Sequence, residues 1–207
     1  MLEIKKWVGL SPEQWEIVIE GMRNPKNSWN RMDSAFGDEF EIGAKDHALM
    51  ESLASGGPVH AKYRRMMPVW VTINAPLYWW KEFDTYKVGT VCNSCSTMHK
   101  IQAKEFTMDD FSHEHLDSSS LSVLESVIDI LNENRDGFLA NTNKIYWWQM
   151  IQLLPSSYNQ KRTIMLNYEV LHNMEFWRHN HKLDEWHTFC DWIEKLPHSE
   201  LITMRDD

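Results

Sequence analysis

Cys92-Asn93-Ser94-Cys95 is a C-x-x-C, the spacing at which two thiols form a redox pair or supply half of a tetrahedral zinc site. It is also a spacing that two unconnected thiols reach by chance. Zinc needs two further ligands, and His99, His113, His115 and Cys190 are present without forming a second C-x-x-C or an H-x-x-x-H, so no metal is expected. His113-Glu114-His115 and His179-Asn180-His181 place imidazoles two apart, which on a helix point to different sides and read as exposed polar groups. Arg64-Arg65, beside His60 and Lys62, reads equally as a phosphate contact or as a balance for nearby acids. Eleven tryptophans, with doublets at Trp79-Trp80 and Trp147-Trp148, read as packing units of a core or subunit interface, or as a stacking surface for a flat ligand ring.

The elements that must hold these groups are mostly helical. Ser11-Pro12-Glu13 starts a helix with a capping hydroxyl, a proline at its first position and an acid at the positive end of the dipole, and Trp15, Val18 and Met22 follow at helical spacing. A second helix is expected from about Ile42 to Leu53, ended by Gly56-Gly57. From Met66 to Asn74, Val69, Val71 and Ile73 alternate with Trp70 and Thr72, the period of a strand, and Pro76 can open a helix after it. The acidic, serine-rich stretch from Phe106 reads as loop until Ser119 or Ser120 caps a helix carrying Leu121, Leu124, Ile128 and Leu131, with Asp136-Gly137 as its stop. Further helices are expected over Asn141 to Leu154, from Asn167, and over Leu183 to Leu196, with a short strand at Thr163 to Leu166. Many helices with few strands make an α+β domain.

At 207 residues, 43% hydrophobic and 25% charged, the chain suits one compact domain. No apolar run approaches the roughly 20 residues of a membrane span, and Met1 to Trp7 is too short and charged for a signal peptide, so a cytoplasmic address with no membrane partner is expected. A formal charge of -9 argues against non-specific nucleic-acid binding, and three cysteines do not make a disulfide framework.

Two blocks resemble the flavin-dependent thymidylate synthases. In the first, Gly56-Gly57, His60 and the strand Val69 to Asn74 lead into Ala75-Pro76-Leu77-Tyr78-Trp79-Trp80-Lys81-Glu82-Phe83-Asp84-Thr85-Tyr86-Lys87. The family has Pro-x-x-x-x-Arg-Gln-x-x-Arg-His-Arg here, then seven residues and a serine. Without a gap, Arg-Gln falls on Lys81-Glu82 and Arg-His-Arg on Thr85-Tyr86-Lys87; the serine falls on Cys95, or on Ser96 with one insertion. In the second block, Leu154-Pro155, then Asn167-Tyr168-Glu169-Val170-Leu171-His172-Asn173 and Arg178, resemble the family's Leu-Pro, Asn-x-Arg-Ser-Leu-x-x-Phe and later arginine, with Glu169 at the arginine after the asparagine.

The resemblance implies a single α+β domain over residues 1–207, with a small central sheet and packed helices, assembled as a homotetramer around sites between subunits. It implies FAD as the candidate cofactor, with Tyr86, Lys87, Thr90, Asn167 and Asn173 as its residues, and a pyrimidine nucleotide on Lys81, Glu82, Ser96 and Arg178. Cys95 and Arg178 are the candidate catalytic groups, Cys95 as a thiolate adding to the pyrimidine ring with Lys87 lowering its pKa. Loss of the signature arginines and glutamine makes standard thymidylate synthesis unexpected. Two readings stay open: a flavoprotein acting at C5 of a pyrimidine nucleotide, and a non-catalytic relative that binds a nucleotide or a partner on the same fold.

Overall fold

The structure, a computed structural model, describes residues 1–204. In chain order the elements are β1 (Glu3–Val8), α1 (Pro12–Arg23), β2 (Ala35–Phe36), β3 (Phe40–Glu41), α2 (Ala44–Ser55), β4 (Pro68–Pro76), α3 (Leu77–Phe83), β5 (Val91–Ser94), α4 (Ser118–Asn141), α5 (Lys144–Leu153), β6 (Asn159–Asn167), α6 (Tyr168–Arg178), α7 (Asp184–Ile193) and α8 (Glu200–Thr203). The expected α+β class is borne out: a small sheet in the order β1-β4-β6-β5 is accompanied by packed helices, and β2 pairs with β3 as a separate ribbon. No helix among the described residues is long and apolar enough to cross a membrane.

The chain divides into two compact units, and the division falls inside the strands, between Thr72 and Ile73 in β4 and between Arg162 and Thr163 in β6. One unit comprises Met1–Glu3, Ile73–Thr85 and Asn93–Arg162. Its core gathers Ile101, Phe106, Phe111, Leu124, Ile128, Leu131 and Met150. Trp79 and Trp80 are fully buried, and Trp80 Nε1 donates to the Gln160 carbonyl at 2.8 Å, so this doublet is packing material. Its α4 corrects two expectations. Asp117, rather than Ser119 or Ser120, caps it by accepting from Ser120 N at 2.8 Å. Nor does Gly137 stop it: the helix continues to Asn141, and Thr142 ends it at φ +53°. A Cβ at Gly137 would lie 2.8 Å from the Tyr146 ring, so the glycine serves the close approach of α5 rather than a turn.

The other unit comprises Ile4–Thr72, Tyr86–Cys92 and the chain from Thr163. Its α1 starts as expected, and Gln14 completes a capping box: Ser11 N donates to Gln14 Oε1 at 2.9 Å, while Gln14 N donates to Ser11 Oγ. Trp15, Val18, Ile19 and Met22 form its buried face. In α2, Gly56 is the C-cap and Gly57 takes φ +81°, where a Cβ is strained. Asp46, fully buried on α2, accepts from Arg23 Nε at 2.6 Å, Asp33 N at 2.9 Å, Ser34 N at 2.9 Å and Ser34 Oγ at 2.7 Å.

Other boundaries moved for physical reasons. The expected strand at Thr163 is the second half of β6, whose first half is hidden in sequence by the polar run Asn159-Gln160-Lys161-Arg162 although Gln160 is buried. β1 carries two lysines and stands at the sheet edge, and β5 is exposed along its whole length, so neither shows an apolar alternation. The last expected helix shortens to Asp184–Ile193, with α8 beyond it.

Candidate functional site

The site is built on α6. Asn167 leaves β6 in an extended conformation, and its side chain accepts from Val170 N at 3.0 Å, so it is the cap that starts the helix. Tyr168, Leu171 and Met174 turn to the core, which leaves Glu169, His172, Asn173, Phe176 and Trp177 on another stripe at helical spacing. That stripe, with Ala54, Gly57, Pro58 and Arg64, lines a cavity of about 190 Å³.

Arg64 comes from the 3-10 turn Ala61–Met66 and is 3% exposed. Its Nη1 lies 3.8 Å from Glu169 Oε2, an ion pair too long for a hydrogen bond. Neither Arg64 Nε nor Glu169 Oε2 has a hydrogen-bond partner, although both atoms are buried. Of the two readings of Arg64-Arg65, Arg64 therefore balances an acid, while Arg65 is exposed. Asn173 Nδ2 donates to the Glu169 carbonyl at 2.9 Å, which fixes the amide at the cavity wall. Burial pushes the neighbouring Tyr63 hydroxyl up to about 12, and it donates to the Met50 carbonyl at 2.9 Å.

The segment from Tyr86 meets the two ends of α6, at Arg178 and at Asn167. Arg178 Nε donates to Tyr86 Oη at 3.0 Å, and its guanidinium lies 5.6 Å from the Tyr86 ring centre and 5.0 Å from that of Trp186. The arginine is thus held in an aromatic cage. Gly89, at φ +79°, lets the segment approach α6 so closely that a Cβ would stand 3.1 Å from Asn167 Nδ2. Thr90 Oγ1 is buried with no hydrogen-bond partner, and Lys87 is exposed. The structure therefore brings Tyr86 to Arg178 and Gly89 to Asn167, whereas Asn173 belongs to the cavity with Arg64.

Lys81, Glu82, Cys95 and Ser96 fall in the first unit. Lys81 is exposed on α3, and the Glu82 carbonyl accepts from Thr85 Oγ1 at 2.7 Å. Cys95 is an exposed free thiol whose N–H donates to the Lys161 carbonyl at 2.9 Å and whose carbonyl accepts from Gln160 Nε2 at 2.6 Å. Ser96 Oγ accepts from His99 N at 2.8 Å, so its hydroxyl shapes a local turn.

Sequence reasoning missed Glu169, His172, Phe176 and Trp177 as cavity residues. Their signal was their spacing with Asn173 on one helix, but the partner Arg64 lies far away in the chain. A wider cleft of about 520 Å³, lined by Arg23, Lys26, Arg31 and Lys45, was also unforeseen.

No family model and no curated protein sequence matches the chain. Solved structures do. Thymidylate synthase X from Helicobacter pylori, with FAD and dUMP, superposes with a TM-score of 0.67 at 16% identity over 98% of this chain and 96% of that one. A UMP/dUMP methylase, PolB from Streptomyces cacaoi, bound with 5-Br dUMP, gives a TM-score of 0.62 at 13% identity over 98% and 94%. With both chains covered almost end to end, the protein has the fold of the flavin-dependent thymidylate synthases.

Proposed function

We propose that the α6 cavity binds the base of a pyrimidine nucleotide and that the chain does not carry out standard thymidylate synthesis. The observation that carries the ligand reading is that two residues of the cavity wall, Arg64 and Glu169, each hold a buried atom without a hydrogen-bond partner, Nε as a donor and Oε2 as an acceptor; the replaced signature at Lys81-Glu82 and Thr85-Tyr86-Lys87 carries the other part. Each such atom left alone costs roughly 1–3 kcal/mol, so a side-chain turn that offers both to a ligand in the cavity recovers energy the free protein lacks. A pyrimidine dione offers the complement, a carbonyl oxygen beside a ring N–H, and the Asn173 amide stands at the same wall. Exposed Phe176 and Trp177, with ring centres 5.0 Å apart, offer stacking faces at this stripe. The neighbours crystallised with dUMP and 5-Br dUMP support the ligand class.

FAD fits this cavity poorly. A volume of about 190 Å³ takes one heterocycle rather than a dinucleotide, and the wall pairs its one buried cation with an acid instead of offering it to a diphosphate. The FAD-bound neighbours keep FAD as a ligand to test, but one chain's cavity would need a further surface to hold it. Arg64 and Glu169 read the base edge, Asn173 orients it, and the aromatic pair excludes water from one face.

A second reading, a non-catalytic oligomer that binds a partner, is favoured by the exposure of Trp177, 70% in the single chain. A homotetramer seen by light scattering, with Trp177→Ala dissociating it, would support that assembly.

Thermal unfolding with uridine, UMP, dUMP and FAD tests the binding reading. Saturation at about 100 times Kd adds about 2.7 kcal/mol, or roughly 5–10 °C in Tm for a chain of this length. We expect that shift with the pyrimidine ligands and its loss in Asn173→Ala. If no pyrimidine ligand moves Tm, or if Asn173→Ala keeps the full shift, the reading is wrong.

A further inference from the structure

His47, His198 and Glu200 meet although 153 residues separate the first from the last. His47 comes from α2, Glu200 opens α8, and His198 precedes it in the left-handed region at φ +53°. A non-glycine residue in that region is uncommon and is retained where the surroundings hold it. Here Trp15 meets the His198 ring edge-on at 5.2 Å and Phe40 does so at 5.7 Å, so the imidazole is clamped.

We propose that His47 Nε2, His198 Nδ1 and Glu200 Oε1 form a site for a divalent transition metal of the zinc class, with a fourth position left for water. The three ligand atoms all lie within 4.8 Å of one another. Glu200 Oε1 is 2.9 Å from His47 Nε2 and 3.3 Å from His198 Nδ1. A tetrahedral ion with bonds of about 2.0–2.1 Å requires ligand atoms about 3.3 Å apart, so small shifts admit the ion. Two imidazoles and one carboxylate suit zinc and its neighbours rather than calcium or magnesium, which prefer all-oxygen sets. The other nitrogen of His47 is also provided for: Nδ1 faces Glu51 Oε2 at 3.5 Å, one turn along α2. A small approach of this pair gives the arrangement in which a carboxylate fixes the tautomer of a ligating histidine. The site is partly open, with His47 and His198 about a quarter exposed and Glu200 half exposed, so the ion has an entry path. Its effect is to tie α2 to the segment before α8.

The test uses the full chain freed of metal by a chelator, then titrated with Co2+ and Zn2+. Tetrahedral cobalt on these ligands gives visible d–d bands that saturate at one ion per chain, and saturating zinc raises Tm by about 5–10 °C. His47→Ala and His198→Asn abolish the bands; asparagine tolerates the left-handed backbone, so the second variant removes the ligand and keeps the turn. Glu51→Gln weakens binding by roughly 10–100-fold without abolishing it. Cys92→Ser/Cys95→Ser leaves the bands unchanged. Absence of bands, or bands that persist in His47→Ala with its circular dichroism intact, overturns the proposal. Loss of the bands with the cysteines rather than the histidines overturns it as well.

Discussion

Two buried arginine–carboxylate pairs in the same unit are made very differently. Arg23 meets Asp46 through Nε at 2.6 Å and Nη2 at 2.5 Å, and the same carboxylate satisfies the backbone N–H groups of Asp33 and Ser34. Arg64 meets Glu169 at 3.8 Å, with a donor and an acceptor left over in a cavity wall. In the first pair both carboxylate oxygens are used, although Arg23 Nη2 makes no hydrogen bond of its own, and the pair holds the segment after α1 against α2. In the second, Glu169 Oε2 is left without a hydrogen bond, which the proposed ligand would use. Burial of charge alone does not separate the two pairs; the use made of the carboxylate does, since both Asp46 oxygens accept hydrogen bonds and Glu169 Oε2 accepts none.

The sharpest way to break the comparison is Asp46→Asn, which leaves Arg23 buried without its counter-charge and should cost about 3–5 kcal/mol in denaturant unfolding. Acid should act on the same group. Burial by itself would raise the Asp46 pKa, but hydrogen bonds from Ser34, Asp33 N–H and Arg23 outweigh it and hold the carboxyl below the ordinary range. Its contribution is therefore complete above the unfolded pKa and lost as pH falls through the lower folded value, so Asp46→Asn should lose that acid limb of the stability curve.

Apolar replacement of both partners separates the pairs next. Arg23→Met/Asp46→Leu should still destabilise, by about 1–3 kcal/mol for each of the N–H groups of Asp33 and Ser34 left unpaired. Arg64→Met/Glu169→Leu removes two unsatisfied atoms and should stay within about 1 kcal/mol of the parent protein or gain stability. A further difference concerns ligand: the roughly 5–10 °C rise in Tm with a pyrimidine nucleotide should vanish in Arg64→Met/Glu169→Leu, whereas a cavity unconnected with binding would leave it unchanged.

What could be read in advance followed the range of the interaction. Ser11 and Asn167 were legible as helix starts because a cap contacts N–H groups within three residues of itself. The alternation from Val69 to Ile73 was legible because the strand period is local. Gly137 misled because its purpose is a close approach to Tyr146 rather than a turn of its own backbone. Lys81, Glu82, Cys95 and Ser96 were placed by resemblance of spacing, and the structure puts them in a different unit from Asn167, Asn173 and Arg178.

The sequence by itself determined the caps at Ser11 and Asn167, the helical stripes, the α+β class and the lack of a long apolar run, since each depends on residues a few positions apart. Only the tertiary structure decided that Arg64 faces Glu169, that Arg178 rests on Tyr86 and Trp186, and that His47 meets His198 and Glu200. Those meetings depend on the path of the whole chain. A hydrogen bond or an ion pair acts over a few ångströms, and which distant residues come that close is settled by the packing of the core between them.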